Sequence, residues 1–186
     1  MKKTCFALLT LWATGCVSSQ GPSRTSTPSQ PTSPAAPASG GRVNIAQHAA
    51  RSQEHSILTK ALKETGFVNT LQNSGPFTVF APTDSAFHKS PEATALLQPD
   101  QMNRLRKVLA YHIVTGVWQT KNFQEALDRG IQRVELRTLA GEYIYVSKNG
   151  DQWLVTDKTG HKAKLETTDY AVSNGIVHVT DAVLWP

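Results

Sequence analysis

The sequence predicts an α+β domain, on three observations. Apolar residues recur at helical spacing through the first part of the domain, as in Met102, Leu105, Leu109 and Ile113. From Gln132 onward the period shortens to two, with Val134 and Leu136 alternating with Arg133, Glu135 and Arg137. Helices come first and strands later, without the strand–helix–strand alternation of a parallel α/β sheet.

The first 15 residues read as an export signal. Lys2 and Lys3 precede an apolar run, Phe6 to Ala13, which is too short to span a bilayer as a helix. The run ends at Ala13-Thr14-Gly15-Cys16, and small residues before a cysteine resemble the bacterial lipoprotein signal, in which that cysteine carries the lipid. An ordinary secretory signal cut nearby is the alternative. The chain has two cysteines, Cys5 and Cys16, and Cys5 leaves with the signal. Cys16 then has no disulfide partner and is best explained as the lipid attachment point. Zinc–cysteine and redox-pair chemistry are excluded by the same count.

Residues 16–41 read as the lipidated cysteine and a disordered tether. Fifteen of the 25 residues after Cys16 are Pro, Ser or Thr, which leaves too little apolar surface to offset ordering entropy. An extended proline-rich chain of that length reaches up to about 75 Å, at about 3.1 Å per residue. Without Lys2 and Lys3 the chain carries 17 basic and 14 acidic side chains, a balance of +3. The basic residues are scattered, so no nucleic-acid partner is expected.

The folded domain is expected over residues 42–186. Asn44 and Gln47 form a capping box for a first helix. Ile57, Leu58, Ala61 and Leu62 share one stripe of a second, which Gly66 ends. Phe67 to Leu71 continues as a short helix or turn. Phe77 to Ala81 reads as a buried strand stopped by Pro82, and Thr83 or Asp84 caps the short helix that holds Phe87. Ser90 and Pro91 restart a helix. The longest helix opens at Pro99-Asp100 and carries its stripe through Ile113, with a further turn over Phe123 to Leu127. Strands follow around Val134, Tyr143 to Val146, Trp153 to Val155 and Ala163 to Leu165, with Asn149-Gly150 as a hairpin signal. Thr168 to Ser173 leads through Asn174-Gly175 into a last strand, apolar almost to Pro186. That strand is expected to pair within the sheet and close its last edge, with His178 on the face of Ile176 and Thr180.

Three segments carry a family resemblance. Phe77 to Phe87 (FTVFAPTDSAF) and Asn174 to Pro186 (NGIVHVTDAVLWP) resemble the two signature blocks of the fasciclin (FAS1) domain, and Tyr111-His112 resembles its Tyr-His motif. They occur in family order at family-like spacing. The resemblance implies a FAS1-like fold of two β-sheets forming a wedge, with several helices packed on it. It assigns a structural role to Phe80, Pro82, Thr83, Asp84, Phe87, Asn174, Gly175, His178 and Asp181. It also implies adhesion or protein–protein contact at cell surfaces or in matrix, and in bacteria such domains occur in exported and lipid-anchored proteins. In animal relatives, integrin recognition has been attributed to the Tyr-His region and to an Asp-Ile pair before the second block. Tyr111, His112, Asp169 and Tyr170 are therefore the interaction candidates, with Tyr170 standing where the pair has isoleucine.

Enzyme chemistry is not expected. The six histidines have no zinc-site spacing, no cofactor loop is visible, and Ser173, His178 and Asp181 lack a nucleophile elbow. Asp84, Asp169 and Asp181 fit capping and turn roles better than catalysis, and a buried histidine usually donates to a backbone carbonyl. The sequence thus reads as a non-enzymatic module, lipid-anchored to a bacterial membrane, whose partner is an envelope or matrix protein. Val17 is not the aspartate associated with inner-membrane retention, which points to the outer membrane or cell surface. Periplasmic or secreted protein is the alternative location. The alternative function is binding of a small ligand or glycan through Tyr143, Tyr145 and Trp153 on the Asn149-Gly150 hairpin, or through the Tyr-His region.

Overall fold

A computed structural model describes residues 43–186. The expected export signal, Cys16 and the tether lie outside the described residues. The helices are α1 (Ile45–Arg51), α2 (Ser56–Glu64), α3 (Phe67–Asn73), α4 (Asp84–Lys89), α5 (Pro91–Ala95), α6 (Met102–Tyr111) and α7 (Thr120–Asp128). The strands are β1 (Phe77–Pro82), β2 (Ile113–Thr115), β3 (Val134–Arg137), β4 (Tyr143–Asn149), β5 (Gln152–Thr156), β6 (Lys162–Val172) and β7 (Gly175–Thr180). Among the described residues no helix is long and apolar enough to cross a membrane.

The strands form one ladder in the order β2-β1-β7-β6-β5-β4-β3, and β6 divides it into the two leaves of the expected wedge. Lys162 to Lys164 of β6 pair with β5, whereas Leu165 to Val172 pair with β7. The register shifts between Leu165 and Thr167 and again between Thr167 and Tyr170. Such bulges bend a strand and raise its twist, which lets one strand serve both leaves. A bridge between Val114 and Thr138, with the Leu139 amide donating to the Ile113 carbonyl, brings the two ends of the ladder together. The result is nearly a barrel.

β7 is an interior strand, which corrects the expectation that it closes an edge. It runs parallel to β1 from Phe77–Gly175 to Pro82–Thr180 and antiparallel to β6 on its other side. All six of its residues are buried, as are all six of β1. A strand covered on both faces is apolar throughout instead of alternating. Phe77, Val79, Ala81 and Val177 face the helices, packing with Ile45, Leu58, Leu71, Phe87, Leu105 and Leu109. Phe80 faces the inside of the wedge with Phe123, Leu136, Ile144, Val146 and Val155.

Two local readings shift. α6 ends at Tyr111, after a 3-10 turn over Pro99–Gln101, and Ile113 opens β2. The spacing from Leu109 to Ile113 suits a helix stripe and a buried strand alike, and β2 gains pairing with Thr78 and Val79 of β1. Both Asn-Gly pairs mark hairpins, but each turn sits one residue away from the dipeptide. Gly150 and Asp151 join β4 to β5, because Asn149 already pairs with Gln152. Ser173 and Asn174 join β6 to β7, because Gly175 already pairs with Val172.

Gly175 is required by proximity. A Cβ placed on it would lie 1.8 Å from the Phe77 carbonyl oxygen. Gly150 has nothing within 4 Å of the same position, although its φ is +59°. Gly175→Ala is therefore expected to cost upwards of about 4 kcal/mol, and Gly150→Ala about 1 kcal/mol, in urea unfolding. Equal losses for the two variants would show that the β1–β7 approach is looser than described.

Candidate functional site

The Tyr-His motif sits at the C-terminal end of α6, and both side chains are turned inward. Tyr111 is 0% exposed and His112 is 2% exposed. The Tyr111 hydroxyl donates to the Tyr143 carbonyl at 2.7 Å and accepts from the Lys158 amide at 3.1 Å. Burial pushes its phenol up to about 12, against the opposing effect of the Lys158 amide. His112 uses both ring nitrogens. Nδ1 donates to the Val108 carbonyl at 2.8 Å, and Nε2 accepts from the Leu184 amide at 3.0 Å. A carbonyl can only accept and an amide can only donate, so these partners define one neutral tautomer. Burial accordingly lowers the imidazole pKa to about 4.

His178 follows the same logic inside the wedge. Its Nε2 donates to the Trp118 carbonyl at 2.7 Å, and its Nδ1 accepts from the Asp169 amide at 3.2 Å. The ring stacks on Phe80 at 5.4 Å and lies 5.9 Å from Phe123. Burial holds its pKa below the ordinary range. Neither Ser173 nor Asp181 bonds to it, so the three residues form no catalytic triad. Asp181 instead accepts from the Lys164 amide at 2.7 Å.

Asp169 occupies the β6 bulge with φ +60°, a conformation aspartate tolerates better than most residues. Its carboxylate accepts from the Thr120 amide at 2.8 Å and from the Thr120 hydroxyl, which places a negative charge at the N-terminus of α7. Tyr170, beside it, is 46% exposed and lies 4.0 Å from the His48 ring. The four interaction candidates therefore divide. Tyr170 faces solvent and Asp169 is half-buried, while Tyr111 and His112 have their polar atoms satisfied inside the domain. No hydrogen bond joins the two pairs among the described residues.

The other signature residues act as ties. Thr83 caps α4 by accepting from the Ala86 amide at 3.2 Å. Asp84 caps a different helix: it accepts from the amides of Ser56 at 3.2 Å and Ile57 at 2.8 Å, at the start of α2. Pro82 ends β1 opposite Thr180, and Phe80 and Phe87 are core residues. The Asn174 side chain accepts from the Ile45 amide at 2.9 Å and donates to the carbonyls of Leu71 and Ser74. One side chain thus joins the start of α1, the end of α3 and the entry to β7.

Sequence reasoning overlooked Asp157. It is 2% exposed and its carboxylate accepts from the Thr159 amide and hydroxyl, the His161 amide and, at 3.0 Å, the Trp185 amide. The Asp-x-Thr-Gly spacing from Asp157 to Gly160 is a turn signal, but nothing local points to its bond with Trp185. The hairpin aromatics also separate. Tyr143 and Tyr145 lie on the outer face of β4, with the Arg133 guanidinium 4.4 Å from the Tyr145 ring. Trp153 pairs opposite Lys148 on the inner side and packs 5.7 Å from Phe123. The expected three-aromatic patch is therefore not one surface. Among the described residues, no cluster of three or more His, Cys, Asp or Glu is placed to hold a metal ion.

A two-leaved wedge with a helical layer, held by inward-turned polar side chains bonded to main chain, defines a scaffold domain. The Fasciclin domain profile matches residues 53–186. A Synechocystis protein, sll1483, is 34% identical over 80% of this chain and 77% of its own length. Immunogenic protein MPB70 of Mycobacterium bovis is 32% identical over 76% of this chain and 68% of its own length. Human periostin is 28% identical over 77% of this chain, which spans 16% of periostin. Among solved structures, a FAS1 domain pair from the insect cell adhesion molecule fasciclin I superposes with a TM-score of 0.67 at 21% identity. That match covers 77% of this chain and about half (51%) of the solved one. The chain belongs to the fasciclin (FAS1) domain family. The match begins at residue 53, while α1 before it contributes Ile45, Ala46 and Ala49 to the same core.

The buried histidines set a pH dependence with a definite sign. His112 titrates near 6.5 when unfolded and near 4 when folded, so between these values the unfolded chain binds the extra proton. Stability is full above pH 6.5 and falls as pH drops toward 4, with a loss on the order of 3 kcal/mol from His112. His178 adds to the loss in the same direction. Urea midpoints measured from neutral pH downward should fall across this window at constant slope. A midpoint that stays flat until carboxylates titrate would contradict the assignment.

Proposed function

We propose that this protein is an exported, non-enzymatic interaction module, held to a bacterial membrane by a lipid on Cys16 and presented on its proline-rich tether. The carrying observation is where the reactive side chains are used. Tyr111, His112, His178 and Asp157 are buried, and their polar atoms are bonded inside the domain, mainly to main-chain groups. Binding then falls to the surface. Tyr170 supports this reading as an exposed aromatic on the rigid bulge pinned by Asp169 and His178. Aromatic side chains on rigid backbone are favoured contacts in protein interfaces, because they bury much area and lose few torsions.

A structural neighbour named as a cell adhesion molecule supports the class of role, and the small-residue run before Cys16 supports the anchor. Location at the outer membrane or cell surface, and an envelope or matrix protein as partner, belong to the same proposal.

Metabolic labelling with palmitate should mark the wild-type chain and fail on Cys16→Ser, and label on both would overturn the anchor. Cross-linking on intact cells should capture a protein partner. Tyr170→Ala should reduce that capture several-fold while moving the urea midpoint little, since the ring is half exposed. Capture that is indifferent to Tyr170 would remove this surface from the proposal.

A further inference from the structure

The end of the domain around Trp185 carries a groove separate from the Tyr111-His112 and Asp169-Tyr170 pairs. It has two sections. One, of about 580 Å³, is floored by Ala86, Pro91, Ala182 and Val183 and rimmed by Lys89 and Lys162. The other, of about 340 Å³, is floored by Val108 and Pro186 and rimmed by Arg104 and Lys107. Trp185 borders both sections, as do Glu92 and His161.

Trp185 is a fixed platform. Its amide donates to the buried carboxylate of Asp157 at 3.0 Å, and the Arg104 guanidinium lies 5.6 Å from its ring. Its indole N–H makes no hydrogen bond among the described residues, so a donor is left for a ligand. The charge on the rim is one-sided. Lys89 is 3.9 Å from Asp181 and Lys107 is 3.4 Å from Glu142. Arg104 and Lys162 have no carboxylate within 4.0 Å among the described residues. Glu92 is the acidic side chain that lines the groove, and the unpaired cations are Lys162 in one section and Arg104 in the other.

We propose that this groove binds an acidic peptide segment of a partner protein, with carboxylates on both sides of an apolar residue seated at Trp185. This rests on the reading of the domain as an interaction module and assigns the partner's chemistry on a surface separate from Tyr170. Two cationic ends separated by an aromatic divide match a chain that is anionic, apolar and anionic in turn. The aliphatic floor favours a peptide over a glycan. Alanine, proline and valine offer no side-chain hydrogen bond to sugar hydroxyls, but they accept an apolar side chain.

The test is fluorescence anisotropy on the purified full chain. The probes are labelled, capped pentapeptides with acidic first and last residues and each apolar residue in turn at the centre, alongside versions with glutamine for the acids. At least one acidic probe should bind with Kd below about 1 mM and its glutamine version about tenfold more weakly or worse. Arg104→Gln combined with Lys162→Gln, both exposed positions, should weaken binding by at least about tenfold at an unchanged urea midpoint. The proposal fails if no acidic probe binds in that range, if the double variant binds equally well, or if oligogalacturonate outcompetes every peptide. Tyr170→Ala separates the two surfaces. It should lower cell capture and leave peptide binding unchanged. Absence of peptide binding with capture still dependent on Tyr170 removes this groove alone, and capture indifferent to Tyr170 with peptide binding intact removes the Tyr170 surface alone.

Discussion

The parallel ladder between β1 and β7 is the interaction on which the rest of the domain depends. It brings residues about a hundred positions apart into register over six pairs, in the interior of the sheet. Its entry point is the contact between Gly175 and the Phe77 carbonyl, too close for any side chain. Because both faces of this ladder are buried, each strand supplies two cores. One face closes the helical layer and the other fills the wedge. Fully burying a Val, Ile or Phe side chain is worth roughly 1.5–3 kcal/mol, so this two-sided burial is a large share of what holds the domain.

Polar side chains then solve the problem that such a core creates. Main-chain groups where helices end and strands bend are partly or wholly removed from water, and a buried unpaired one costs about 1–3 kcal/mol. His112, His178, Asp84, Asp157, Asp169 and Asn174 each take up such groups. Two neutral histidines can do this because each offers one donor and one acceptor at fixed separation. That is also why protonation unsettles them. A histidine that must accept from an amide cannot also carry a second proton, so acid opposes the same bonds that position the C-terminal tail and the α7 loop.

Surface and interior therefore divide the signature unevenly. The motif residues that look reactive in sequence are mostly structural ties. The features that face solvent are Tyr170 and the groove around Trp185. Trp185 belongs to the second signature block, but it becomes a groove wall only through the Asp157 contact that fixes its backbone. Asp84 makes the same point at smaller scale. Its position after Thr83 suggests a cap for the helix that follows, yet it caps α2, whose own flanking residue His55 makes no side-chain cap bond.

By itself the sequence determined the α+β class with its strand-rich second half, the Asn44 capping box, the apolar stripes, the two hairpins and the family. The elements depend on the 3.6- and two-residue periods and on turn chemistry, which act over a few neighbours, and the family rests on the resemblance of three short segments. Only the tertiary structure decided that β7 is an interior strand, that Ile113 leaves its helical stripe for a strand, and that Trp153 parts from Tyr143 and Tyr145. It also decided which main-chain groups the histidines serve. His178 meets Trp118 across 60 positions, and Asn174 meets Ile45 across 129. Such partners are chosen by how the leaves close around a shared core, and no short-range pattern carries that information.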